Sequence, residues 1–329
     1  MPVVEQRTIP RLGRSVSVVG LGTWQLGAQW GEVDDERARA VLDRAVAEGI
    51  TFFDTADVYG DGRSERFCGE LHARHQSVLI ATKIGRRAEQ TLASYSDRER
   101  LCSWTERSIE NLSMRPLDLV QLHCPPDAVY AGDAVFELLD ELVSSGRLRS
   151  YGVCVETCEQ ALAAIARPGV ASVQVILNCF RLKPLEQVLP AAAAAGVGII
   201  ARVPLASGLL SGRFTESTRF VADDHRSFNR RGEAFDVGET FSGVPYEVGL
   251  AAVEELRALL DPGTPLAAFA LRWVIDQPGV SSVIPGATRP EQVAQNAAAA
   301  ALPPLRADQL AGVRDVYDRL IRRHVHERW

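Results

Sequence analysis

Eight short apolar runs recur along the chain, and longer stretches of helical spacing separate most of them. The runs are Val18 to Leu21, Thr51 to Asp54, Val78 to Lys83, Leu117 to His123, Ser150 to Val155, Ser172 to Leu177, Gly198 to Val203 and Ser281 to Ile284. Amphipathic segments fall at Asp35 to Glu48, Asp97 to Leu112, Asp133 to Ser144, Glu159 to Ala166, Leu185 to Ala194 and Pro290 to Ala300. Strands this apolar are buried on both faces, which is the situation of parallel strands covered by helical crossovers. An open doubly wound sheet competes with a closed barrel for this pattern. Its dinucleotide fingerprint needs a third glycine after the first strand, and Gly20-Leu21-Gly22-Thr23-Trp24-Gln25 lacks it. The expected fold class is therefore α/β, a (β/α)8 TIM barrel, and with no Pro/Ser-rich linker residues 1–329 read as a single domain.

Two stretches exceed a minimal barrel. Residues 7–17 have hairpin turn chemistry and are expected to cover the barrel bottom. Residues 206–246, after the seventh strand, are too long and too poor in strand pattern for a connection, so they read as a lid-like insertion. Its phenylalanines (Phe214, Phe220, Phe228, Phe235, Phe241) are expected to pack it down.

Composition excludes several classes of function. With 46% hydrophobic and 24% charged residues the chain is a globular protein with ample core. The longest weakly polar run, Val188 to Ala201, is too short to span a bilayer, and the first residues lack a secretory pattern. Six scattered cysteines without a CxxC pair read as reduced thiols, so a cytoplasmic location and no metal are expected. A net charge of −6 argues against nucleic acid, and Arg319, Arg322, Arg323 and Arg328 read as a solvated helix end. No appendage for an obligate protein partner is evident.

In such a barrel the active site lies at the C-terminal strand ends. Three consecutive runs close on ionisable residues: Asp54, Lys83 and His123. Tyr59 follows Asp54 in Asp54-Thr-Ala-Asp-Val-Tyr59-Gly60, and Gly60 and Gly62 let a short turn bring its phenol over the rim. A phenol is a reluctant acid unless a cation favours its phenolate, and Lys83 can supply that cation while Asp54 keeps it charged. His123 can donate a hydrogen bond to a carbonyl oxygen. The four residues make an oxyanion site with a proton donor and no strong nucleophile, which suits hydride delivery by a cofactor. Trp24 and Trp30 follow the first strand, where an aromatic walls a substrate pocket, and Gln25, Gln29 and Arg181 leave room for a hydroxylated small-molecule carbonyl substrate.

The Asp-Thr-Ala-x-x-Tyr-Gly motif and the Thr-Lys and Leu-His strand ends resemble the catalytic tetrad of the aldo-keto reductases, in their bacterial branch. The likeness runs from Gly20-Leu-Gly-Thr-Trp24 to Ile284-Pro-Gly-Ala-Thr-Arg-Pro-Glu-Gln-Val-Ala-Gln-Asn296, nearly the whole chain. It implies NADPH-dependent reduction of aldehydes or ketones, with Tyr59 as general acid. It further implies that Gly286, Thr288, Arg289, Gln292 and Asn296 hold the adenosine 2'-phosphate at a helix start, Arg289 being the charge partner. Pro204, Leu205, Ser207, Gly208 and Arg213 resemble the pyrophosphate-clamping loop. Gln174 matches the residue that bonds the nicotinamide amide, and Gly22 and Thr23 lie at the same mouth.

Two departures accompany this match. Gly152-Val-Cys154-Val155-Glu156 stands where many relatives have Gly-Val-Ser-Asn, and Arg202 replaces a tyrosine that stacks on the nicotinamide. A guanidinium can stack as well. Zinc held by Asp54, His123 and Cys124 is disfavoured because adjacent strand residues face opposite ways. The alternative function is an NADPH-binding regulatory or redox-sensing subunit resembling potassium-channel β subunits.

Overall fold

A computed structural model describes residues 4–27 and 33–329. Two antiparallel strands open it, β1 (Gln6–Ile9) and β2 (Arg14–Ser17), joined by a turn at Pro10–Leu12. Gly13 closes that turn with φ +65°, a left-handed conformation natural to glycine. This is the hairpin expected over 7–17.

Eight parallel strands follow: β3 (Leu21–Gly22), β4 (Phe52–Asp54), β5 (Leu79–Ile84), β6 (Leu119–His123), β7 (Tyr151–Cys154), β8 (Val170–Ile176), β9 (Gly198–Arg202) and β10 (Val280–Val283). They are ordered consecutively from β3 to β10. Parallel bridges Val19↔Val283 and Gly22↔Gly286 bring the first strand beside the last and complete the barrel. Each expected run holds a strand, shifted at its ends by a residue or two, while β3 is shorter because Gly20 and Gly22 follow β10 through isolated bonds to Val283 and Pro285.

Several helices start where short polar side chains satisfy free N–H groups. Asp34 accepts from Arg37 N before the helix Asp35–Ala47, and Asp97 accepts from Arg100 N before Arg98–Leu112. Thr157 and Gln160 form a reciprocal capping box before Cys158–Ile165. The helix expected from Leu185 begins later, at Val188, since Pro184 sits in a separate 3-10 turn, Lys183–Leu185.

Two apolar compartments result. The larger lies between the barrel and its helices. The smaller fills the barrel interior, where Phe52, Leu79, Ala81, Leu119, Ile200 and Ile284 meet Ile9 and Val16 of the hairpin. The hairpin thus plugs the barrel from below, as expected.

Residues 206–246 form short helical turns, Ala206–Ser211, His225–Phe228, Val237–Glu239 and Phe241–Gly243. Asn178, just beyond β8, anchors the last of them by donating to Ser242 Oγ and Val203 O, both at 2.8 Å. Phe214, Phe220 and Phe241 meet ring against ring, and Phe228 meets Phe235. Among the described residues no helix is long and apolar enough to cross a membrane.

Candidate active site

Alternation along each strand builds the site directly on the interior apolar layer. Asp54 lies two residues beyond Phe52, Lys83 two beyond Ala81, and Gln121 and His123 two and four beyond Leu119. The inward side chains therefore change from apolar below to ionisable at the C-terminal ends, where a cavity of about 820 Å³ opens.

Asp54, Lys83, Tyr59 and His123 all line that cavity. Lys83 Nζ forms a short ion pair with Asp54 Oδ1 and donates to Thr55 O at 3.0 Å and Tyr59 Oη at 3.4 Å. Gln121 Nε2 and Gln174 Nε2 donate to the other carboxylate oxygen at 3.1 and 2.8 Å. The turn carrying Tyr59 closes through its N–H to Ala56 O, and Gly60 takes φ +60° against the Gly27 main chain, where a Cβ would clash. Trp24 stacks on Tyr59 with centroids 5.9 Å apart, and His123 meets the phenol ring at 87°.

Burial sets the protonation of these groups. It pushes the Tyr59 phenol up to about 12, outweighing the downward pull of Lys83. The expected tuning by Lys83 is thus present but does not prevail, because the phenol is buried and Asp54 acts in the opposite sense. Burial opposes the charge on Lys83, yet Asp54 more than compensates and holds it cationic. Burial, then Arg86 and Lys83, press His123 well below the usual range, so its imidazole is neutral and keeps one N–H to donate.

Beside the tetrad lies a charged cluster that the sequence pattern did not reveal. Arg202 Nη1 meets Glu239 at 2.6 Å, while Nη2 meets Glu156 at 3.2 Å and Val155 O at 2.9 Å. Arg86 pairs with Glu156 at 3.0 Å. Arg202 is therefore tied edgewise, and any stacking uses a guanidinium already committed to two carboxylates. Cys124 adopts φ +50°, which breaks strand alternation and turns its thiol into the cavity. The argument that adjacent residues face apart thus fails at Cys124. Its neighbours, however, are Glu156 and Glu239, not Asp54 and His123, and the two arginines already balance those carboxylates.

The cofactor positions divide into two groups. Gly22, Thr23, Gln174, Pro204, Leu205, Ser207, Gly208, Arg213, Gly286, Thr288 and Gln292 line the cavity with Arg202. Arg289, exposed at the N-cap of the helix Pro290–Ala298, and Asn296, buried on it, are not among the lining residues. Gln292 accepts from the N–H groups of Thr288 and Arg289, so it shapes the helix start. The Ser207 hydroxyl accepts from Phe241 N and donates to Glu239 O, so it secures the insertion and is not free for a phosphate. Gln25 lines the cavity, but Arg181 does not: it is buried against the Trp329 ring. Trp30 and Gln29 lie outside the described residues.

Gln121, Arg86, Glu156, Glu239, Phe214 and Phe235 are the contributors that sequence reasoning missed. Gln121 could have been found, since it shares the inward face with His123. The others come from loops whose course no periodicity predicts.

The model of the aldo/keto reductase family matches residues 18–318. The chain is 30% identical to the aldo-keto reductase YhdN of Bacillus subtilis (strain 168), over 88% of this chain and 87% of that protein. It is 27% identical to a probable voltage-gated potassium channel subunit beta of Arabidopsis thaliana, over 92% of this chain and 93% of that one. Among solved structures, the glycerol dehydrogenase AKR11B4 from Gluconobacter oxydans superposes with a TM-score of 0.76 at 30% identity, covering 97% of this chain and 96% of that one. With barrel, mouth and whole-chain similarity in agreement, the chain belongs to the aldo/keto reductase family, a family of NADP-dependent oxidoreductases.

Proposed function

We propose that this chain reduces aldehydes and ketones to alcohols in the cavity at the strand ends, with NADPH as cofactor and Tyr59 as proton donor. The observation that carries this reading is the contact of Tyr59 Oη with Lys83 Nζ at 3.4 Å beside a neutral His123. When bound, NADPH supplies the hydride to the carbonyl carbon.

The residues present fit such a cofactor. His123 Nδ1 and Arg202 Nε are buried without a hydrogen-bond partner, which marks the mouth as an incompletely satisfied polar site. Ser207 and Gly208 hold left-handed backbone conformations at the cavity wall, with the Gly208 N–H closing the turn onto Leu205 O, so the loop presents main chain rather than bulky side chains to a phosphate group. Arg213, exposed at the cavity wall, offers charge to a phosphate, and Arg289 is exposed at the start of the helix Pro290–Ala298.

His123 donates its N–H to the carbonyl oxygen and orients it. Tyr59, protonated across the neutral range, gives its proton to that oxygen as negative charge develops there. Lys83 then stabilises the phenolate left behind, and Asp54, gripped by Gln121 and Gln174, keeps Lys83 in place. Trp24 walls the substrate side.

Tyr59→Phe tests this assignment directly. Reduction of a nitrobenzaldehyde should fall by about 100-fold or more, with NADPH affinity within about twofold of wild type. Turnover unchanged in that variant sinks the mechanism. Likeness to a channel β subunit supports a second reading as a cofactor-binding regulatory subunit, and tight NADPH binding without turnover on aromatic aldehydes, methylglyoxal and glyceraldehyde would favour it.

A further inference from the structure

Two thiols on the cavity wall beside His123 have no part in the reduction described above. Cys124 leaves β6 and Cys154 ends β7, and their sulfurs lie 3.5 Å apart. Main-chain bonding holds them together, with Cys124 N donating to Cys154 O at 2.9 Å. The left-handed turn at Cys124 is what directs both thiols to one side. A disulfide needs the sulfurs about 1.5 Å closer, an approach that side-chain rotation can supply. Both cysteines line the cavity, so a small oxidant can reach them. Arg202 Nη2 lies 3.9 Å from Cys124 Sγ, and the Cys154 thiol is directed at Gln174 Oε1 at 3.7 Å. Burial opposes ionisation of both sulfurs, but at Cys154 the hydrogen bond from Cys124, then Arg202 and Lys83, outweigh it, so Cys154 supplies the thiolate while Cys124 stays protonated.

We propose that Cys124 and Cys154 form an oxidisable dithiol that a hydroperoxide converts to a disulfide, and that this bond weakens cofactor binding at the same rim. The second half rests on the reading of the cavity as an NADPH site. In the first step one sulfur, as thiolate, attacks a peroxide oxygen. The O–O bond breaks, alcohol or water leaves with a proton, and a sulfenic acid remains. The other sulfur attacks it, the S–S bond forms, and the hydroxyl departs as water. Two thiols lose two electrons and two protons in all, and the peroxide is reduced by the same amount. The bond draws Cys154 away from Gln174 and Cys124 away from Arg202, loosening two residues of the expected nicotinamide subsite.

The test treats the reduced full-length protein with a small excess of hydrogen peroxide and reads intact mass, disulfide-linked peptides and NADPH affinity by fluorescence. The expected result is a loss of two hydrogens, a single Cys124–Cys154 cross-link with the other four cysteines free, and NADPH binding weakened by about tenfold. Dithiothreitol should reverse all three. Cys124→Ser and Cys154→Ser, each compared with its own untreated form, should show neither the mass loss nor the drop in affinity. A cross-link between other cysteines, oxygen addition without a cross-link, or a Cys124–Cys154 bond that leaves affinity unchanged would overturn the proposal. Reduced protein that binds no NADPH would instead refute the cofactor reading, while the peptide map still judges the dithiol.

Discussion

Glu239 and Arg202 meet at 2.6 Å over the barrel mouth, with side chains only 8% and 7% exposed. One comes from the segment after β9 and the other from the end of β9, so this ion pair, with a longer one from Arg86 to Glu239 at 3.9 Å, joins the insertion to the barrel. Breaking a buried pair leaves its partner charged in a poorly solvating place, which costs several kcal/mol. Glu239→Gln should therefore raise the NADPH KM by about tenfold, with a smaller change in kcat, because Arg202 keeps Glu156 but loses its in-plane restraint. Steady-state kinetics at saturating aldehyde measure the split; an unchanged KM shows that the insertion does not act on the cofactor through this pair.

The pH profile of reduction follows from Tyr59. Its phenol must be protonated to act, and burial raises it to about 12. Activity should hold level from neutral pH to about pH 11 and decline about tenfold per unit only once the pH passes about 12. A descending limb below pH 9 in kcat would show that the acid is a different group or that Lys83 prevails over burial.

Asp57, in the turn between Asp54 and Tyr59, has two buried carboxylate oxygens without hydrogen-bond partners. Burial first, then nearby Glu65, lift it from 3.8 to about 7. A carboxyl raised in the folded state binds its proton more tightly there than in the unfolded chain. Stability is thus undiminished below about pH 4, falls as pH rises from there to 7, and stays reduced above, by about 3 to 4 kcal/mol at most. Asp57→Asn should raise Tm at pH 8 by about 3 °C or more and give no gain at pH 4. Calorimetry at the two pH values checks the sign, and an equal shift at both would exclude titration as the cause.

Ile9 is fully buried where the hairpin enters the barrel, and a Cβ on Gly198 would press on it at 2.8 Å. Ile9→Ala should cost about 2 to 4 kcal/mol, since the rigid barrel wall cannot collapse into the gap. Urea unfolding measures it; a loss under about 1 kcal/mol would mean that the hairpin is only draped across the opening.

The strand ends were the legible part of this molecule. Asp54, Lys83 and His123 could be placed together because period-two alternation fixes which way each points, and the barrel then brings consecutive strands side by side. Tyr59 was legible from its short glycine-flanked turn. Arg202 was noticed as a substitution, but its partner Glu239 was not, because pairing across a long irregular segment leaves no periodic trace. Cys124 defeated the same alternation rule that placed His123, since one positive φ suffices to reverse a side chain. Ser207 was legible as a cavity residue, but not where its hydroxyl goes: a loop hydroxyl serves whichever neighbour the fold supplies first, here the main chain of Glu239 and Phe241.

The hairpin beneath the barrel has an electrical consequence. Ile9 and Val16 close the lower opening against Phe52, Leu79 and Leu119, directly under the Asp54–Lys83 pair. Water arriving from that side would screen the pair and hydrate the phenol from behind. The stopper is thus also insulation: what twelve residues near the start of the chain fold against determines how strongly charges at the mouth are felt.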